Sequence, residues 1–256
     1  MGQNQGGGSM GPGFFTTPQG RRIAYQQQAG VGPGVVFLGG FRSDMTGTKA
    51  EYLAKWAQVK GRAFLRLDYS GHGQSGGNFL DGSIGDWFED AVAAIAALTG
   101  GPQVLVGSSM GGWIALLVVR AIPDRIAGLV GVAAAPDFTE DLMWAGFSAA
   151  DQAVLMAKGQ LATLSDYSDE PYVITRRLIE EGRQRLVLRA PLDLPFAVRL
   201  LQGTADVDVP VSVALRLLGH ATCRDMRLTL VKGADHRFST PECLALMVRA
   251  VEEVLG

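Results

Sequence analysis

Short unbroken apolar runs alternate along this chain with longer stretches in which apolar residues recur at helical spacing. Residues 22–28 read as an edge strand, and 34–38 (Gly-Val-Val-Phe-Leu) as a buried strand that stops at Gly39-Gly40. Over 49–60 the spacing predicts a helix with Tyr52, Leu53, Trp56 and Val59 on one face. A strand follows over 63–67, ending at Asp68. The next helix spans 83–98, capped by Ser83, with Trp87, Phe88, Val92 and Ile95 facing inward. Then come a strand at 103–106, a helix at 111–121 stopped by Pro123, and a stretch, 125–133, that leads into another strand. The pattern resumes late, with strands at 199–202 and 226–231 and helices at 211–219 and 241–255. Apolar strands joined by helical crossovers predict the α/β class, with a mostly parallel central sheet flanked by helices.

Between the two halves, residues 137–194 contain helical stretches at 138–147, 149–158 and 172–185 and no clear strand. The segment is expected to form a helical lid, since function often sits on insertions over a rigid scaffold. Its apolar residues Leu142, Met143, Trp144 and Phe147 suit an acyl pocket, and suit core packing equally well or better. Residues 1–20 are expected to be a flexible tail and 21–256 a single domain, because the start of the chain is polar and Gly-rich with no apolar secretory segment.

Charge and composition narrow the possible partners. The formal net charge is −2 and 47% of residues are hydrophobic, so a large core is possible and no basic stripe invites nucleic acid. The longest apolar runs are too short to cross a bilayer, which points to no stable membrane insertion and a cytoplasmic setting. Cys223 and Cys243 are too few for a disulfide framework; both read as reduced, with a single bridge as the alternative. Nothing in the pattern indicates an oligomeric state.

The chemistry centres on Gly107-Ser108-Ser109-Met110-Gly111, a G-x-S-x-G motif between a strand and a helix. That context is what a nucleophile elbow requires, and it makes Ser109 the candidate nucleophile. Three histidines are candidate bases. His72 precedes Ser109, His220 ends a helix where an imidazole caps carbonyls, and His236 lies in the loop before the last helix. Chain order of nucleophile, acid and base selects His236. Asp206, three residues after the Gly that ends a strand, is the expected acid; Asp208 reads as a helix cap, and Asp235 is too close in sequence to face His236. The backbone N–H groups of Met110 and Phe41 are the candidate oxyanion hole. A competing G-x-G-x-x-G at 71–76 does not open a helix directly, so a dinucleotide site is set aside for a structural loop.

Three stretches carry a family resemblance: Phe41-Arg42-Ser43-Asp44-Met45-Thr46-Gly47-Thr48-Lys49-Ala50, Arg66-Leu67-Asp68-Tyr69-Ser70-Gly71 and Gly101-Pro102-Gln103-Val104-Leu105-Val106-Gly107-Ser108-Ser109. Through them the chain resembles the α/β-hydrolase group of acyl-glucuronide esterases and palmitoyl-protein thioesterases (S-depalmitoylases). The resemblance implies an α/β-hydrolase fold, a Ser109–His236–Asp206 triad, and deacylation of thioesters or activated esters on a small or acylated substrate without metal or organic cofactor. The rival readings are a peptidase or carbon–carbon bond hydrolase on the same triad, and a non-catalytic binding protein on the same scaffold.

Overall fold

Strands buried on both faces need cover on both faces, and the fold supplies it with one sheet between two layers of helices. The computed structural model describes residues 11–163 and 171–256. Its main sheet contains β1 (Gly13–Thr16), β2 (Arg22–Gln28), β3 (Val31–Leu38), β4 (Arg62–Leu67), β5 (Gln103–Ser108) and β6 (Ile126–Val132). A separate hairpin of β7 (Gln160–Thr163) and β8 (Tyr172–Thr175) comes next in the chain, and β9 (Ala197–Gly203) and β10 (Met226–Val231) complete the main sheet. The strand order is β1-β2-β4-β3-β5-β6-β9-β10. β1 and β2 are antiparallel at one end, and every pairing from β4 onward is parallel.

Alternation along the central strands sorts the core into two faces. Val35, Phe37, Val104, Val106, Val130 and Val132 pack with α1 (Thr48–Lys60) and α7 (Pro241–Leu255). Val36, Leu38, Leu105 and Leu129 pack on the other side with α2 (Ile84–Leu98) and α3 (Met110–Ala121). The inserted segment adds α4 (Ala149–Lys158) and α5 (Arg176–Gly182) on that second side, and α6 (Val211–His220) joins β9 to β10. Ser83 caps α2 by accepting from the Asp86 N–H, as its position before the helix predicts. Among the described residues no helix is long and apolar enough to cross a membrane.

Four expectations are corrected. Residues 13–16 form β1, inside the stretch expected to be tail; residues 1–10 lie outside the described residues. Because β1 pairs along Arg22–Tyr25, β2 is not an edge strand. The buried face of α1 is Ala50, Leu53 and Ala57, whereas Val59 is 79% exposed and Tyr52 39%. Alanines on either side of Leu53 let this helix lie close to the sheet, so Tyr52 and Val59 are turned away. Finally, the inserted segment does contain strands: Tyr172-Val173-Ile174-Thr175 is aromatic and β-branched, and it pairs with 160–163 instead of continuing a helix.

The base of the insertion is closed by one buried carboxylate. Asp137 accepts from the N–H of Val187 (2.7 Å) and Leu188 (3.0 Å) and from Arg189 Nη1 (2.8 Å). It thereby joins the beginning of the insertion to its return toward β9. Residues 139–144 make a π-helical turn in place of the longer α-helix expected there. Leu142, Met143, Trp144 and Phe147 pack against the main core, which is the second of the two roles their pattern allowed. Cys223 and Cys243 are both free.

The corrected face of α1 is open to a direct test. Leu53→Ala is expected to cost about 2–5 kcal/mol in urea denaturation, while Val59→Lys changes stability by less than about 0.5 kcal/mol. Equal effects of the two would show that the burial pattern is misassigned.

Candidate active site

The turn after β5 is built by crowding. A β-carbon at position 107 would lie 2.4 Å from the Gly111 carbonyl oxygen, and one at position 111 would lie 2.0 Å from the Leu38 carbonyl oxygen. Only glycine fits at either place, which is the physical content of the two glycines in G-x-S-x-G. Between them Ser109 is forced to φ 54°, a region that side chains other than glycine rarely adopt. The strained residue is tied down on both sides. Its N–H donates to the Val132 carbonyl (2.9 Å), and its carbonyl accepts from Gly112 (2.9 Å) and Ala135 (3.0 Å). Ser109 is thus held at the C-terminal edge of the sheet as the residue preceding α3.

Two further loops bring partners to its hydroxyl. The loop after β9 carries Asp206 and the loop after β10 carries His236; the Ala205 N–H donates to the Ala234 carbonyl (3.0 Å) and the Gly233 N–H to Thr204 Oγ1 (2.9 Å), so the two loops are fastened together. His236 Nδ1 lies 2.9 Å from Asp206 Oδ2, and His236 Nε2 lies 3.0 Å from Ser109 Oγ. With the ring proton on the nitrogen facing the carboxylate, Nε2 is left to accept from the serine hydroxyl. The three residues expected to act together therefore meet, across separations of 127 and 30 positions in the chain.

Asp206 is held ionised. Burial opposes its charge, but the hydrogen bonds from His236, from the Val209 N–H and from Gln202 prevail and keep its carboxyl below the usual carboxylate range. The Asp208 N–H (3.0 Å) and Val209 N–H (2.8 Å) both donate to Oδ1, while Gln202 Nε2 (2.9 Å) shares Oδ2 with the imidazole. Gln202 also donates to the Val209 carbonyl (2.9 Å). Its part in the site has no sequence signal beyond its position, one residue before the Gly that ends β9.

The loop after β3 passes beside the serine: a β-carbon on Gly40 would be 3.4 Å from the Ser109 Cβ. Gly40, Phe41, Ser109 and His236 line a common pocket of about 240 Å³. The Phe41 ring is fixed edge-on against Phe79, Trp87 and Phe138, with centroids 5.0–5.9 Å apart. Met110 opens α3, so its N–H is among those with no acceptor inside the helix. Leu142, Met143, Trp144 and Phe147 are not among the residues lining this pocket; the insertion contributes Tyr172 instead.

The profile of the Hydrolase_4 family, described as serine aminopeptidase, S33, matches residues 34–177, more than half of the chain. The chain belongs to this family of α/β hydrolases. It is 32% identical over 243 residues to the rat palmitoyl-protein thioesterase ABHD10, mitochondrial, a match that spans 94% of this chain and 82% of that protein. The human protein of the same name is likewise 32% identical, over 94% of this chain and 79% of its own. Among solved structures, a protein of Agrobacterium vitis S4 superposes with a TM-score of 0.92 at 40% identity, covering 96% of this chain and 98% of that one. Alpha/beta hydrolase domain-containing protein 10 from mouse superposes with a TM-score of 0.89 at 30% identity, covering 95% and 98%.

In this α/β hydrolase the other candidate residues take supporting places. His72 is buried among Tyr69, Phe79 and Trp87, and burial pushes its imidazole down to about 4, with the nearby Arg42 charge adding to the effect and a hydrogen bond to the Ser70 carbonyl opposing it. His220 Nε2 donates to the Ala190 carbonyl (2.9 Å), outside its own helix, so it does not cap α6 as expected. Asp208 does not cap α6 either: the residue before that helix is Pro210, with no side-chain cap. Asp235 Oδ1 accepts from the Phe238 N–H (3.1 Å), turning the loop that carries His236. The G-x-G-x-x-G stretch is a structural loop, since Asp68 accepts from the N–H of both Met45 (2.6 Å) and Gln74 (2.8 Å) and a β-carbon on Gly73 would lie 2.2 Å from its carboxylate. Asp206, Asp208 and His236 place potential metal-ligand atoms within 4.8 Å of one another, but both imidazole nitrogens are already hydrogen-bonded to Asp206 and Ser109.

The lowered Asp206 contributes stability that is full above about pH 4 and is lost as pH falls through its folded-state value. Gln202→Met removes one donor to that charge. The variant is expected to be about 1–2 kcal/mol less stable at pH 7 in urea denaturation, with the gap narrowing at pH 3. A gap that stays constant across this range would show that Gln202 acts through packing alone.

Proposed function

We propose that this α/β hydrolase is a serine hydrolase that deacylates carboxylic thioesters and esters through Ser109, His236 and Asp206. The observation that carries the reading is the continuous chain of hydrogen bonds from the Ser109 hydroxyl through the His236 imidazole to the Asp206 carboxylate, mounted on a strained turn. His236 takes the hydroxyl proton through Nε2 as Oγ attacks the acyl carbonyl. Asp206 holds the tautomer and stabilises the imidazolium. The backbone N–H groups of Met110 and Phe41 receive the developing oxyanion. The imidazolium then gives its proton to the departing thiol or alcohol, and water repeats the sequence on the acyl-enzyme. The extended similarity to mammalian palmitoyl-protein thioesterases supports acyl thioesters as the substrate class.

The description of the matching family, a serine aminopeptidase, favours a second reading in which the same groups cleave aminoacyl amides. A panel of acyl thioesters, p-nitrophenyl esters and aminoacyl amides separates the two: esters and thioesters are expected to turn over and amides not, and preferential amide cleavage would establish the second reading. A fluorophosphonate probe is expected to label the wild type and to leave Ser109→Ala unlabelled. Asp206→Asn is expected to lower kcat about 10⁴-fold through loss of the correct tautomer. An unlabelled wild type would remove the basis for any serine hydrolase activity.

A further inference from the structure

The segment 43–50 contributes no group to the proposed reaction, yet it contains a lysine, Lys49, placed against general expectation. Lys49 is the second residue of α1, where the helix dipole disfavours a cation and an acidic residue is the usual choice. Its side chain lines the same pocket as Ser109 and His236. Lys49 is half-buried, and its ammonium donates to the backbone carbonyl of Arg237, the residue after His236. Burial pushes it down to about 8, with the Asp235 carboxylate and the Cys243 thiol opposing that shift and the Arg237 guanidinium adding to it; Asp44 also lines the pocket. A position unfavourable in both dipole and solvation is explained by the contact it makes.

The same carbonyl also accepts from Ser239 Oγ (2.8 Å), a contact local to the loop, whereas Lys49 reaches it from α1. The Asp235 carboxylate turns the chain at the Phe238 N–H, and Phe238 itself sits at φ 49° with its ring fully buried. His236 projects from the middle of this strained turn. We propose that Lys49 is a positioning residue for the base: by donating to the Arg237 carbonyl from α1, it fixes the loop that aims the His236 imidazole at Ser109. This rests on the reading of Ser109, His236 and Asp206 as a triad.

The test uses the full chain and two variants, Lys49→Met, which keeps the stem and loses the donor, and Lys49→Arg, which keeps both donor and charge and has open pocket volume to occupy. Two rates are followed from pH 6 to 9.5: inactivation by a fluorophosphonate and steady-state hydrolysis of p-nitrophenyl acetate. Lys49→Met is expected to lower kcat and the inactivation rate about 10- to 100-fold, the scale of a small misplacement of a reacting group, with KM within about twofold. Lys49→Arg is expected to recover most of that loss. The wild-type rate is expected to decline above about pH 8, as the charge on the clamp is lost. That decline is absent in Lys49→Met and displaced to higher pH in Lys49→Arg. Should Lys49→Met fail to fold, the displacement between wild type and Lys49→Arg reads the same contact.

Three results overturn the proposal: a folded Lys49→Met as fast as wild type, a loss confined to KM, or a folded Lys49→Arg no faster than Lys49→Met. A wild type that the probe does not label sinks the triad reading itself, which is a separate failure.

Discussion

A turn with no room for a β-carbon on either side of Ser109 is the constraint from which the site follows. The space at position 111 is taken by the carbonyls ending β3, and the space at 107 by the start of α3. Strand, neighbouring strand and helix therefore approach within contact of bare backbone, and the residue between the two glycines must take the strain. A positive φ at a non-glycine residue costs on the order of 1–3 kcal/mol and persists only where the surroundings enforce it. Here they do: the Ser109 N–H donates to the end of β6, and its carbonyl accepts from Gly112 and Ala135.

The same edge of the sheet collects other strained residues. Arg42 follows β3, Ala133 follows β6 and Phe238 lies in the loop after β10, all with positive φ. The Ala133 N–H donates to the Leu201 carbonyl of β9 (2.8 Å). Parallel strands end together, so their loops converge on one edge, and the ladder beneath them absorbs the distortion above. In such a frame a serine, an imidazole and a carboxylate from three loops can be held at hydrogen-bond distance.

Electrostatics reinforces that geometry. An ionised carboxylate has room for about four hydrogen bonds, and Asp206 accepts four, from the His236 ring, the Gln202 amide and the N–H groups of Asp208 and Val209. The charge is thus fully solvated by the protein and has no reason to reorient. Asp137 at the base of the insertion is also buried and accepts from two N–H groups and a guanidinium, but there burial outweighs those bonds and pushes its carboxyl up. Both carboxylates turn the cost of burial into fixed chain geometry.

By itself the sequence determined the α/β layering and the elbow at 107–111, and it pointed to Ser109, Asp206 and His236, because each reading rests on local periodicity, on glycine spacing or on order along the chain. The resemblance carried by 41–50, 66–71 and 101–109 likewise pointed to the family before any coordinates. Only the tertiary structure decided which face of α1 is buried, since the two alanines beside Leu53 matter through the sheet they approach. It decided that 172–175 is a strand, because its partner at 160–163 lies across an intervening segment, and that β1 covers β2. It alone revealed Gln202 beneath Asp206 and Lys49 behind the His236 loop. The Lys49 contact spans most of the chain and ends on a backbone carbonyl, and the Gln202 contact depends on how the loop after β9 folds back; neither a backbone group nor a loop path is marked in the identity of the residues that make it.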